Sequence, residues 1–178
     1  IFGRGGRGGG RVGMGGGGGY NVFSDNAGGV VIAEGDRIRV GENRGHANAA
    51  FPLALGVRGA GPNDEGDVDV GPNTLLNRPV ITSARFEDAR IFVDGLVAEG
   101  LTLHAYLATR TGDAPQGDTF LGFRIEGRAD DTREGRARYD DDALGQDEAA
   151  RFGFVFVTPT GPPREGTQLI ATATDSEG

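Results

Sequence analysis

The sequence predicts an all-β protein in two parts, a glycine-rich solenoid followed by an antiparallel sandwich. Three observations carry this. Short apolar beats before residue 60 are each closed by Gly, Asn or Asp. Runs after residue 79 alternate apolar and polar residues over longer stretches. Between them lies a dense acidic loop, NDEGDVDVGPNTLLNRPV at 63–80, bracketed by Gly-Pro-Asn at 61–63 and again at 71–73. The expected organisation is therefore a leader with solenoid coils over 1–60, a joint over 61–79 and a sandwich over 80–178.

Residues 1–19, IFGRGGRGGGRVGMGGGGG, hold twelve of the 34 glycines. A flexible tail is the plain reading. An RNA-binding Arg-Gly segment is the sharper one, but it has three arginines and the whole chain carries −8. A phosphate-cradling loop would need Gly-Lys-Ser/Thr after its glycines. If this backbone is ordered, its polar groups need partners, in neighbouring coils or in another copy. The start, Ile-Phe-Gly, is expected of a processed product or of a piece of something longer, and no signal peptide is read in it.

NVFSDN (21–26), GVVIAEG (29–35), DRIRVGEN (36–43) and PLALG (52–56) are short β-prone beats. Strands this short suit coils that bend sharply and stack inward Val, Ile and Leu. Asn and Gly at the corners would supply left-handed backbone angles. A few ordinary hairpins are the alternative.

Beyond residue 79 the period is two. Leu101, Leu103, Ala105 and Leu107 share one face, as do Leu121, Phe123 and Ile125, and Phe152, Phe154 and Phe156. TQLIATATD (167–175), RIFVDG (90–95) and VITSARF (80–86) complete the set, which favours an antiparallel sandwich. His104 alternates with the apolar face and is expected outward or at a rim. The charged stretch 129–149 is expected to be a solvated excursion.

Composition narrows function. There is no cysteine, so disulfides and thiolate metal sites are excluded. The charge of −8 argues against nucleic acid and anionic membrane as partners, although all 18 basic residues are arginine. No stretch reaches the roughly 18 apolar residues of a membrane span.

The joint carries the chemistry. Asp64, Asp67 and Asp69 put three carboxylates within six residues, with Gly66 and Gly71 to let the chain fold around a point. Hard oxygen donors at this density suit calcium, with Asn63 and Asn73 filling further positions. A solvated turn with Asx-to-backbone bonds is the bland reading. Asp140, Asp141, Asp142, Asp147 and Glu148 read as wet surface. His46 and His104 lack zinc-site spacing, and nothing marks Ser24, Ser83 or Ser176 as an activated nucleophile. No catalytic residue is expected. Glu34, Asp36 and Glu42 would be the carboxylates of a polysaccharide-cleaving enzyme, if there were coils enough for a groove.

Residues 21–85 also carry Pro62-Asn63-Asp64, Gly66-Asp67, Asp69, Gly71-Pro72-Asn73, Leu76, Asn77 and Pro79-Val80 in one order. In this they resemble the last coils of right-handed parallel β-helix repeat proteins of bacterial and archaeal surfaces. The departures are FPLALG (51–56), which lacks the usual acidic residue, and Arg78. Residues 79–178 resemble the immunoglobulin-like module that follows in that family, most closely at GDTFLG (117–122) and TQLIATATD (167–175).

The resemblance implies a short glycine-rich parallel β-helix leading into an immunoglobulin-like antiparallel β-sandwich, at the cell surface or outside it. The expected function is that of a non-enzymatic structural protein, a calcium-stabilised subunit of a surface filament or layer that pairs head to tail with itself. An adhesin module contacting glycan or a host protein is the alternative, and the polysaccharide-cleaving enzyme stands third.

Overall fold

The computed structural model describes residues 2–4, 11–13, 20–50, 52–56, 63–64, 70–111, 114–138 and 148–175. Over these residues the protein is all-β, without an α-helix.

Seven short strands come first: β1 (Phe2–Arg4), β2 (Arg11–Gly13), β3 (Val22–Ser24), β4 (Val30–Glu34), β5 (Arg39–Gly41), β6 (Arg44–His46) and β7 (Leu53–Leu55). They pair as β1-β4-β7, β2-β5 and β3-β6, and every pair is parallel. Hairpins would have paired neighbours antiparallel, so that alternative fails. Sheets of two or three strands do not by themselves show the short solenoid expected; they form a parallel β layer.

From β3 onward the chain passes over itself in this layer every 22 or 23 residues, whereas β1 and β2 pair across 28 to 30. Asn21 Nδ2 donates to Asn43 Oδ1 at 3.0 Å, and Asn26 Nδ2 to Asn48 Oδ1 at 3.3 Å, each across 22 residues. Backbone bonds run beside them across 23 residues, Arg44 N to Asn21 O at 2.9 Å and Ala49 N to Asn26 O at 2.8 Å. The asparagines thus stack amide on amide. Left-handed corners fall on Gly35 and Gly56, as expected of glycine, but on no described asparagine of this layer; the others are Asp25, Arg37, Glu42 and Ala47, with φ of 54–61°. Each of the latter is a strained choice for an L-residue. Gly29 is required for a different reason: a Cβ there would lie 2.1 Å from Pro52 O.

Seven more strands follow, all but β12 longer: β8 (Val80–Glu87), β9 (Arg90–Val97), β10 (Thr102–Thr111), β11 (Ala114–Ile125), β12 (Arg136–Arg138), β13 (Glu148–Val157) and β14 (Gln168–Thr174). They build two antiparallel sheets, β12-β13-β9-β8 and β11-β10-β14. Between them lies a core of Ile91, Val93, Val97, Leu101, Leu103, Ala105, Leu107, Phe152, Phe154 and Phe156. Phe152 and Phe156 are fully buried, and truncating either to Ala would cost about 3–5 kcal/mol. Gly95 sits under Phe152, where a Cβ would meet the ring at 2.4 Å.

Three expectations fail locally. Two register shifts interrupt the β10–β11 ladder, the first skipping Leu121 beside Gly122 at φ 130°. Leu121 packs on the core, while Phe123 is left 47% exposed, so period two breaks at the bulge. The stretch from residue 129 is solvated as expected, with Thr132–Arg136 exposed, but at its start it is docked rather than a free excursion. Thr132 N donates to Gly153 O at 2.8 Å, Gly153 N to Asp131 Oδ1 at 2.8 Å, and β12 joins β13. Arg133 forks onto Asp94 at 2.8 and 3.1 Å. Gly153 makes this docking possible, since a Cβ would meet Thr132 and Arg133 at 2.6 Å.

The third concerns His104. It leaves the sandwich core as alternation requires, yet it is completely buried. The parallel layer lies over that face of β10, so His104, Tyr106 and Ala108 have no wet side.

Candidate functional site

The acidic loop is closed by a reciprocal clasp. Asn63 Nδ2 donates to Arg78 O at 3.0 Å, and Arg78 N donates to Asn63 Oδ1 at 2.8 Å. One step inward, Asn77 Nδ2 donates to Asp64 O at 2.9 Å and Asp64 N to Asn77 Oδ1 at 2.8 Å. Each carboxamide copies the donor and acceptor pair of a peptide, so each forms two bonds to one backbone residue. Asn63 and Asn77 are 2% and 5% exposed, which makes these bonds costly to lose.

A third carboxamide fixes the loop to the parallel layer. Asn73 Oδ1 accepts from Ile38 N at 2.9 Å, its Nδ2 donates to Ile38 O at 2.6 Å, and its own N–H donates to Gly35 O at 2.9 Å. The 3-10 turn Pro72–Leu75 that carries it runs left-handed at Asn73, Thr74 and Leu75, with φ of 49–55°. Three successive non-glycine residues in that region persist only where surrounding contacts hold them.

The structure thus gives Asn63 and Asn73 backbone-holding roles, and each amide oxygen faces an N–H of this chain. Asp64 lies half-buried at the clasp. Asp67 and Asp69 lie outside the described residues, as do Asp140, Asp141, Asp142 and Asp147 and the side chain of Glu148. Among the described residues no three His, Asp or Glu side chains gather as a metal group. Glu34 and Asp36 are exposed on either side of Gly35. Glu42 is half-buried, and its N–H donates to Tyr106 Oη at 3.0 Å. His46 is exposed at the end of β6.

Sequence reasoning missed a polar seam between the parallel layer and the β11-β10-β14 sheet. Asn48 and Gln116 are 1% and 0% exposed. Asn48 Nδ2 donates to Phe23 O and to Gln116 Oε1, both at 2.8 Å, while Gln116 Nε2 donates to Ala50 O at 2.6 Å. Asn48 also receives Asn26, so one amide joins the stacked asparagines to the sandwich. Tyr106 closes the seam beside them; burial pushes its phenol up to about 12, partly offset by the bond from Glu42 N–H. Next to it His104 stands against Gly41, where a Cβ would lie 3.0 Å from the imidazole. Phe120 and Phe123 flank its ring with centroids 6.1 and 6.0 Å away. The available signal was the even-numbered face of β10, where His104 and Tyr106 are too large and aromatic for an ordinary wet face.

Compared with family models, with curated proteins and with solved structures, the chain matches none.

Proposed function

We propose that this chain is a non-enzymatic extracellular structural protein, a subunit of a surface filament or layer that assembles from copies of itself. In this reading the parallel layer is the end of a short β-helix and the two antiparallel sheets are an immunoglobulin-like sandwich. One observation supports it above the rest. In the sheet β1-β4-β7 the outer strands β1 and β7 each present an edge that no other described strand covers. Open parallel edges at opposite ends of one sheet are templates for another chain. Head-to-tail pairing of such ends propagates when it does not close.

Calcium belongs to this reading. Asp64, Asp67 and Asp69 would supply its carboxylates and set its charge. Three such groups on one short loop repel each other by more than about 1 kcal/mol per close pair without a cation. The clasp of Asn63 and Asn77 and the anchor of Asn73 hold the ends of the loop that presents them. Electron microscopy at high protein concentration, with calcium and with chelator, tests the proposal. Filaments or sheets that depend on calcium are expected; monodisperse particles in both conditions would overturn it.

An adhesin reading has one feature in its favour. Phe120, Phe123, Arg124 and Arg128 line a shallow groove with Asp130, an aromatic and ionic mixture that suits a sugar face. Binding of the monomeric protein to a glycan array, lost in Phe123→Ala, would favour it.

A further inference from the structure

Where the parallel layer meets the β11-β10-β14 sheet there is a crevice of about 60 Å³ that nothing above uses. Val30, Val40 and Leu53 form its wall on one side, and Ile170 forms it on the other. Tyr106 pairs with Ile170 across the β10–β14 ladder, and Thr172 lies two residues further along β14 on the same face. Arg44 reaches the crevice from β6.

Its polar groups are unusual in their sameness. Arg44 Nε and Thr172 Oγ1 are buried and have no hydrogen-bond partner among the described residues. Buried polar atoms in native proteins nearly always find a partner, so such atoms point to something that occupies the space. The Arg44 Nε–H can only donate, and a threonine hydroxyl can donate. The Tyr106 oxygen already accepts from Glu42 N–H, so its own proton is the donor that remains. The crevice therefore offers donors and one positive charge against an apolar wall.

We propose that this crevice binds a short aliphatic carboxylate, with its oxygens on Arg44 and Thr172 and its alkyl chain against Val30, Leu53 and Ile170. Charge sets the head group: Arg44 Nη1 already donates to Tyr20 Oη at 3.0 Å and the guanidinium lies 3.9 Å over that ring, which leaves Nε for the crevice; an ammonium would be repelled there, and an alcohol would bring no charge to it. Volume sets the tail. At about 10–15 Å³ for each water-sized sphere, the space holds roughly four to six heavy atoms. That admits acids of three or four carbons and excludes long fatty acids.

The test is protein-observed 1H–15N NMR titration of the full chain, with sodium butyrate as the probe and butan-1-ol and butylammonium as controls. Butyrate is expected to bind, with amide shifts at Leu53, Ile170 and Thr172, and to bind at least tenfold tighter than either control. Thr172→Val keeps the side chain's shape and removes the hydroxyl; affinity should fall about tenfold, the weight of one charge-assisted hydrogen bond. Leu53→Phe should fill the space and abolish binding. The proposal is overturned if butan-1-ol binds as well as butyrate, if butyrate shifts none of these amides, or if Thr172→Val binds unchanged. The panel on the unsubstituted protein decides the matter even where a variant fails to fold.

Discussion

Gln116→Leu tests whether the polar seam binds the two halves of the molecule. The substitution keeps the volume of a fully buried side chain and removes both ends of its amide. Two groups lose their partners, Ala50 O, which received Nε2 at 2.6 Å, and Asn48 Nδ2, which donated to Oε1 at 2.8 Å. Asn48 keeps its bond to Phe23 O, so only one of its two donor sites is orphaned. A buried polar atom left unsatisfied costs about 1–3 kcal/mol. The expected loss is therefore about 2–6 kcal/mol, and it falls on the contact rather than on the sandwich core. Urea unfolding gives the total, and hydrogen exchange locates it: amides of β3 and β6 should lose protection before those of β9 and β13. The reasoning is refuted if Gln116→Leu is within about 0.5 kcal/mol of the parent, the range of a neutral surface substitution. Uniform loss of protection in both halves would refute the placement.

Two further outcomes follow. The Tyr106 phenol is held protonated by the fold, with its pKa raised from 10.0 to about 12. Its contribution is complete below pH 10 and is lost as pH rises through 12. Stability should fall by about 2–3 kcal/mol across that window. Tyr106→Phe should show a flatter alkaline profile in urea titrations at pH 9–12, and an unchanged slope would contradict the assignment. Asn63→Ala removes both bonds to Arg78 at one end of the loop. It should cost about 2–3 kcal/mol, seen as a drop of roughly 5–10 °C in melting temperature for a chain of this size. If the melting temperature does not move, the clasp contributes nothing to closing the loop.

Periodicity made the sandwich legible. Leu101, Leu103, Ala105 and Leu107 face Phe152, Phe154 and Phe156 because alternate residues on a strand share a side. Period two reports the face but not what covers it, which is why His104, facing away from that core, is nevertheless buried. The rule also assumes an unbroken ladder, and a bulge beside Gly122 sends Phe123 outward. At the joint, residue type alone suggests oxygen-donor chemistry for Asn63 and Asn73. A carboxamide is donor and acceptor at once, and only coordinates reveal a backbone pair placed to take both. The docking of residues 131–133 was hidden for a similar reason, since it depends on the missing side chain of Gly153. The short parallel strands were legible as beats, whereas their pairing partners lie 22 to 30 residues away and leave no local mark.

Covalent trapping of the two open edges tests assembly most directly, because a chain without cysteine gives no background. Phe2, Val31 and Ala54 occupy one row across β1, β4 and β7. In a head-to-tail stack residue 2 of the next copy would continue that row beside Ala54, at the roughly 5 Å spacing of paired strands. That spacing lies within the reach of a disulfide. Phe2→Cys and Ala54→Cys proteins, mixed with calcium and oxidised, should give a disulfide-linked heterodimer between positions 2 and 54. Only monomer, or random linkage that includes 2–2 and 54–54 pairs in equal measure, would contradict edge-to-edge assembly.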